Sequence, residues 1–292
     1  MTSTLIAVTL ENAALRLQLL PELGGGVSRF DCLVHGEARP VFRPRPAAAL
    51  PDPDTLACYP LLPWSNRIGG GQFDFDGRRC EVGPTRADEA LPIHGFGAFH
   101  AWECIEAEDD AAILSMRLQR DGWDFQAWQH FRLDAQQLRV TLTVCNHGRR
   151  MPFGLGLHPF FPRDGSTRLC APARAVWPGG PDALPLARET PRDERDFGVS
   201  RPLPEGLTLN DSFTGWNGRA QIASHGLGLE IEAEADAYVL YTPQGRDFFC
   251  FEPVDHPVDA FHLVGGPAAN GMTVLETGQT LSRRYRFAVS AS

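Results

Sequence analysis

Two segments of the sequence place a titratable side chain at the end of an apolar run, directly before a proline. Glu252 follows the run 248–251, and His158 follows the glycine-spaced run 154–157. A proline cannot donate to a sheet ladder and keeps the preceding residue extended, so we expect both side chains at strand ends. Burial raises a carboxyl pKa, and histidine titrates near neutrality. Together the two residue types suit general acid–base catalysis.

Three further segments carry polar side chains that suit ligand binding. Arg67, beside Asn66, offers a rigid fork of donors, and His94 precedes Gly95, which lets a backbone approach a ligand closely. Asp211 can accept hydrogen bonds from hydroxyl groups, with Trp216 as an apolar platform. Each side chain also has a purely structural interpretation, as a surface arginine, a turn histidine, an Asx turn or a buried ion pair.

Metal and nucleotide chemistry have little support in these patterns. His94, His158 and Glu252 form a conceivable ligand set, but the sequence has no HxH or HExxH spacing. P-loop, GxGxxG and GxSxG motifs are also absent. The sequence therefore predicts neither a metal nor a cofactor.

The elements that must position these residues have the period-two alternation of half-buried strands. Apolar residues alternate with polar ones over 15–19, 138–144 and 227–231, and Asn-Gly or Asp-Gly turn signals separate such stretches. We found no long amphipathic helix. The sequence predicts an all-β fold, a large antiparallel β-sandwich, formed by a single domain over residues 1–292. We interpret the stretch 177–205 as a surface excursion within that domain.

Composition limits the partners and the compartment. The chain has 292 residues and a formal net charge of −9, which argues against nucleic acid and anionic membranes as partners. The seven cysteines are dispersed and form no CxxC motif, which favours reduced thiols. The start of the chain lacks signal-peptide features, and no apolar run approaches a membrane span. We expect a cytoplasmic protein, and a homodimer remains open.

The ordered set of motifs resembles the aldose 1-epimerase (galactose mutarotase) family over nearly the whole chain. The motifs are Asn66-Arg67-Ile68, His94-Gly95, His158-Pro159, Asp211 and Phe251-Glu252-Pro253. The resemblance implies a β-supersandwich that acts on a small monosaccharide without a cofactor. It also implies that Glu252 is the general base on the anomeric hydroxyl and His158 the general acid toward the ring oxygen. Arg67, His94, Asp211, Asn66 and Trp216 are then expected to bind the sugar.

The chain departs from the family pattern in ways that bear on its substrate. Phe96 follows His94-Gly95, where many galactose mutarotases have a second glycine, and His100 lies close by. Few basic residues surround the motifs, which disfavours the hexose-6-phosphate branch. The alternatives to an epimerase of free aldoses are a sugar-phosphate epimerase and a non-catalytic sugar-binding protein.

Overall fold

The computed structural model describes residues 5–291, and most of its regular structure is β-strand. The strands are β1 (Val8–Glu11), β2 (Leu15–Leu20), β3 (Gly26–Val34), β4 (Glu37–Pro40), β5 (Pro60–Leu61), β6 (Gln72–Phe75), β7 (Arg78–Glu81), β8 (Glu103–Ala107), β9 (Ala111–Arg120), β10 (Trp123–Asp134), β11 (Gln137–Asn146), β12 (Met151–Phe153), β13 (Gly156–Leu157), β14 (Phe160–Pro162), β15 (Arg168–Cys170), β16 (Ala175–Trp177), β17 (Arg201–Pro202), β18 (Asn210–Thr214), β19 (Arg219–Ser224), β20 (Leu227–Ala233), β21 (Ala237–Tyr241), β22 (Phe248–Val254), β23 (Thr273–Leu275) and β24 (Thr280–Ala291). The helices are one α-turn, α1 (Gly266–Ala269), and the 3₁₀ turns Pro53–Thr55, Gly69–Gly71, Gly97–Phe99 and Asp193–Arg195.

Two large antiparallel sheets dominate the fold. One has nine strands in the order β17-β15-β19-β20-β24-β11-β10-β9-β8. The other has seven strands, with β16-β18-β21-β22-β13-β5 in order and β14 also paired with β22. Within residues 5–291 there are three smaller sheets. One has four strands in the order β1-β2-β3-β4, and the other two are the pairs β12-β23 and β6-β7. The predicted all-β sandwich is confirmed, and the alternating stretches become β2, β11 and β20.

The seven-stranded sheet is covered on both of its faces, because β21 and β22 carry apolar side chains in both alternating rows. Phe213, Leu240 and Phe251 belong to the large core that also includes the inward side chains of the nine-stranded sheet. Val239 and Cys250 belong to a second, smaller core with Leu20, Tyr59 and Phe160. We call the side of the sheet that faces this second core the site face. A side chain on the site face is therefore withdrawn from bulk water.

Strand β22 differs from the sequence interpretation in where it ends. We expected Glu252 at a strand end, but β22 runs on through Pro253 to Val254. Val239 of β21 lies opposite Glu252, and Tyr238 lies opposite Pro253. Glu252 is thus fixed in the interior of a sheet rather than on a loop. His158, in contrast, does follow the short strand β13 and precedes β14.

The segment after β22 links it to three other parts of the chain. Asp255 Oδ2 accepts from the Leu155 N–H at 3.0 Å, and its Oδ1 accepts from Arg283 Nε at 2.7 Å. His256 Nε2 accepts from the Ser65 N–H at 3.1 Å. These buried bonds connect the strand that carries Glu252 to the segments that precede His158 and Arg67.

The structure also bears on the expectations about cysteine oxidation and membrane spans. All seven cysteines are free thiols. Across residues 5–291 there is no helix with the length and apolar character that a membrane span requires. The single-domain assignment to residues 1–292 stays a prediction.

We expect Asp255→Ala to lower the free energy of unfolding by about 3 kcal/mol, because it strands a buried N–H and the Arg283 guanidinium. Denaturant unfolding followed by fluorescence measures the change. The matched control is Asp74→Ala, whose ion pair with Arg79 is largely exposed and should contribute between about 0 and 1 kcal/mol. Equal losses in the two variants would contradict the anchoring role of Asp255.

Candidate active site

Glu252 projects from the middle of β22 onto the site face. Successive side chains of a strand point to opposite faces, so Glu252 shares its face with Cys250 and with Val239 on β21. Only 2% of the Glu252 side chain is exposed to solvent. A carboxyl group at this depth needs a partner or a chemical purpose.

The partner is His158, whose Nε2 lies 3.3 Å from Glu252 Oε1. The imidazole stacks against both Tyr59 and Phe160, with ring centroids 4.5 and 4.7 Å away. The His158 backbone N–H donates to the Tyr59 carbonyl at 2.9 Å, which fixes the start of the side chain as well. Backbone and ring contacts together hold the histidine against the carboxyl group.

His94 stands at right angles to His158, with the two ring centroids 5.0 Å apart. The His94 Nδ1 accepts from the Asn66 backbone N–H at 3.1 Å, and the His94 backbone N–H donates to the Asn66 carbonyl at 3.0 Å. Because Nδ1 is an acceptor, a neutral His94 carries its proton on Nε2. His94 is thus a fixed hydrogen-bond donor beside the acid–base pair.

Gly95 allows the two segments to lie this close. Its φ is +66°, and a Cβ atom here would lie 2.0 Å from the Leu62 carbonyl oxygen. That same oxygen accepts from the Phe96 N–H at 2.7 Å. A residue with a side chain would push the two segments apart, so glycine is required by contact as well as by conformation.

Arg67 lies beside this cluster but is already paired. Its Nη2 donates to both carboxylate oxygens of Glu89, at 2.9 and 3.1 Å. Its positive charge still reaches Glu252 and His94, because it opposes the rise in the Glu252 pKa and helps to lower the His94 pKa. The structure therefore brings together Glu252, His158, His94, Asn66 and Arg67.

Burial sets the protonation of the central pair. It raises the pKa of Glu252 well above its ordinary value, and the negative charge of Asp54 adds to that rise. Burial also lowers the pKa of His158 to about 4, although Asp54 opposes this change. The pKa of His94 is lowered well below its ordinary value, again mainly by burial. Burial therefore favours the uncharged form of all three side chains.

Several residues of the site escaped the sequence analysis. Tyr59 stacks on His158, and its hydroxyl donates to Asp54 Oδ1 at 3.1 Å. Arg86 pairs with Asp54 at 2.6 Å, with Asp88 at 3.0 Å and with Asp52 at 3.3 Å. We call Asp52, Asp54, Arg86, Asp88 and Glu89 the charged rim. Its members lie in two irregular segments whose approach to each other no motif or periodicity reports.

Asp211 and Trp216 are not brought to the cluster. Asp211 lies opposite Leu240, which lies opposite Phe251, so it is on the face of the sheet turned away from Glu252. Its carboxylate accepts from Arg195 Nε at 2.7 Å and from the Gly179 N–H at 2.9 Å.

Trp216 packs edge-on against Tyr238 and Phe251 in the large core, and its indole N–H donates to the Arg219 carbonyl. Neither residue contacts the acid–base pair. Asn210, one position before Asp211, is one of three polar side chains of β18, with Ser212 and Thr214, that the alternation turns toward the site face. The sequence analysis did not consider it.

The pair retains unused hydrogen-bonding capacity. Within residues 5–291, neither His158 Nδ1 nor Glu252 Oε2 has a hydrogen-bond partner. Buried polar atoms are normally satisfied, so such atoms at adjacent side chains mark a place where a polar molecule is bound or transformed. A carboxyl and an imidazole group in contact can exchange one proton with that molecule.

Comparisons with known proteins identify the family and the fold of the chain. The family model for aldose 1-epimerases matches residues 7–288. The chain is 30% identical to the uncharacterised Escherichia coli K12 protein YphB over 286 residues, which is 93% of this chain and 94% of YphB.

Solved structures extend the comparison. A candidate aldose 1-epimerase from Escherichia coli K12 superposes with a TM-score of 0.91 at 29% identity, covering 99% of this chain and all of the other. A galactose mutarotase-like protein from Clostridium acetobutylicum shares the fold with a TM-score of 0.85 at 18% identity, covering 100% of this chain and 97% of the other.

We expect Asp211→Ala to lower the free energy of unfolding by about 2 kcal/mol, because it leaves the partly buried Gly179 N–H and the Arg195 guanidinium without the acceptor they share. Thermal or denaturant unfolding measures the loss. Asn210→Ala, at the adjacent and partly exposed position, is the matched control and should change stability far less. An unfolding curve of Asp211→Ala that coincides with the parent curve would show that the Arg195 and Gly179 contacts contribute nothing.

Proposed function

The chain belongs to the aldose 1-epimerase family, and from that premise we propose that it interconverts the α and β anomers of a free aldose. The observation that supports the proposal best is the buried contact between Glu252 and His158, in which each side chain keeps one unpartnered polar atom. Ring opening of a cyclic aldose needs one group that removes a proton and one that supplies a proton. A pair that shares a single proton provides both.

The proposed reaction breaks and remakes the bond between C1 and the ring oxygen. Glu252 takes the proton from the anomeric hydroxyl while His158 gives a proton to the ring oxygen, and the C1–O5 electron pair leaves with O5. The product is the open-chain aldehyde. Rotation about C1–C2 presents the other face of the carbonyl, and the same two proton transfers in reverse close the ring.

The resting protonation state requires one preparatory step. Burial favours the neutral carboxyl and the neutral imidazole, which places the proton on Glu252, whereas the assigned roles place it on His158. Transfer from Oε1 to Nε2 along the existing contact converts the neutral pair into a carboxylate and an imidazolium. Asp54 favours the imidazolium but disfavours the carboxylate, and Arg67 favours the carboxylate, so the flanking charges act on this transfer in both directions.

The remaining residues of the cluster are proposed to bind the sugar. His94 offers its Nε2–H to a sugar oxygen, and a neutral donor avoids placing a second cation beside His158. Asn66 and Arg67 belong to the segment that is hydrogen-bonded to His94, and the Asn210 side chain lies on the site face of β18. We assign the hydroxyl-binding role expected of Asp211 to Asn210, because the alternation of β18 turns Asp211 the other way.

The charged rim favours an uncharged sugar over a sugar phosphate. It contains four carboxylates, and its arginine, Arg86, is paired with three of them. Arg67 is held by the fourth, Glu89. A phosphate group would have to displace one of these pairs and would face the other acids. We therefore propose a free aldose as the substrate.

We expect Glu252→Gln and His158→Ala each to lower anomer exchange by ~10²–10⁴-fold, the usual cost of losing a positioned base or acid. Glutamine keeps the shape of Glu252 but cannot accept the O1 proton. Exchange spectroscopy by NMR on a panel of pure anomers, corrected for spontaneous mutarotation, measures the rate. His130→Ala, an exposed site on the nine-stranded sheet, is the matched control and should keep full activity.

The rate of a variant is interpretable only when that variant is folded. Circular dichroism establishes that each variant retains the β fold. Near-normal exchange by folded Glu252→Gln protein would remove Glu252 from the mechanism. A parent protein that binds sugars but exchanges the anomers of none would instead indicate a binding protein on the same fold.

The pH profile of kcat/KM tests the shared proton. Activity requires one proton on the pair, so it is lost on the acid side when His158 also becomes protonated. Because burial lowers the His158 pKa to about 4, we expect that limb near pH 4 rather than at the ordinary histidine value. Asp54→Asn removes a negative charge that raises both pKa values, so both limbs should move to lower pH. An acid limb near pH 6.5 in both proteins would contradict the assignment.

A further inference from the structure

Cys250 shares the site face with Glu252 and is fully buried, two residues earlier on β22. A ring nitrogen of His158, the Cys250 thiol sulfur and a carboxylate oxygen of Glu252 all lie within 4.8 Å of one another. Among residues 5–291 this is the one group of three His, Cys, Asp or Glu side chains whose ligand atoms lie this close together. The sequence analysis considered His94 in that set, whereas the structure brings Cys250 there.

We propose that His158, Cys250 and Glu252 bind a thiophilic divalent cation, Zn²⁺ above all, and that the bound ion blocks the acid–base pair. The blocking rests on the proposed function, whereas the binding does not. Nitrogen, sulfur and oxygen are the ligands of protein zinc sites, at about 2.0–2.3 Å from the ion. Ligand atoms in such a site are about 3.5 Å apart, so the side chains need to shift by about an ångström.

The local charges suit a doubly charged ion. The Cys250 thiolate and the Glu252 carboxylate together offset its two positive charges, and His158 binds as a neutral ligand. The assembly is then uncharged, which avoids the cost of burying net charge among the apolar side chains of the second core. The unpartnered Glu252 Oε2 and His158 Nδ1 show that the protein leaves polar atoms of two of the three side chains unsatisfied.

The ligand types also select the metal. A thiolate and an imidazole favour zinc and copper over Mg²⁺ and Ca²⁺, which prefer oxygen ligands. Metal binding occupies the carboxylate and the ring nitrogen that the proposed reaction needs for proton transfer. The ion should therefore inhibit anomer exchange, and the metal-free protein should be the active form.

Zinc affinity can be measured directly by competition with a chromophoric chelator. We expect one equivalent of Zn²⁺ to bind the parent protein, and Cys250→Ser and Cys250→Ala each to weaken binding by about tenfold or more. Cys170→Ser, which changes a partly exposed thiol remote from the cluster, should bind like the parent. With Co²⁺ as the probe, a near-ultraviolet thiolate charge-transfer band should appear in the parent and be absent from both Cys250 variants.

The activity measurement separates this inference from the proposed function. Zn²⁺ should abolish anomer exchange by the parent, and EDTA should restore it. Both Cys250 variants, compared with their own metal-free rates, should need about tenfold more Zn²⁺ for the same inhibition. Equal zinc affinity in parent and Cys250 variants would overturn the metal site even if the protein is an active epimerase. Cys250-dependent binding in a protein without any anomer exchange would support the site and overturn the function.

Discussion

The contact between Glu252 and His158 exists only because a sheet covered on both faces excludes water from it. A carboxyl group on an ordinary surface strand would be ionised, and a surface histidine would exchange protons freely with solvent. On the site face, burial raises the Glu252 pKa and lowers that of His158, so neither side chain holds a charge easily. Coverage of the sheet on both faces therefore favours a state in which the Glu252 carboxyl and the His158 imidazole are both uncharged and hold one proton between them.

Distant parts of the chain reach this point through backbone-mediated bonds. The segment with Arg67 is tied to the segment with His94 by the Asn66–His94 bonds and by the Leu62 carbonyl. It is tied to the segment after β22 by Ser65 and His256, and the segment before His158 is tied there by Leu155 and Asp255. Each bond joins residues far apart in sequence, so the geometry of the site requires the whole fold.

Sequence reasoning found those parts of the site that rest on local chemistry. His158 and His94 stand beside a proline and a glycine that mark a strand end and a tight turn, Glu252 follows an apolar run, and the alternation of β2, β11 and β20 predicted the sheets. It assigned Asp211 rather than Asn210 to the site, because the alternation of a strand buried on both faces does not reveal which row faces which core. Glu89, Tyr59 and Asp54 come from irregular segments, and Pro253 lies inside β22, opposite Tyr238, rather than at the end of the strand.

The charged rim is not part of the hydrogen bonds that join these segments. Asp52, Asp54, Arg86, Asp88 and Glu89 bind mainly to one another or to Arg67, whereas the frame around His158 and His94 is held by main-chain atoms and glycine. Substitutions in the outer residues can therefore accumulate without displacing the inner ones. Under the proposed function, a lineage of such proteins can vary the rim, and with it the sugar and the pH range of activity, while the positions of His158 and His94 are inherited unchanged.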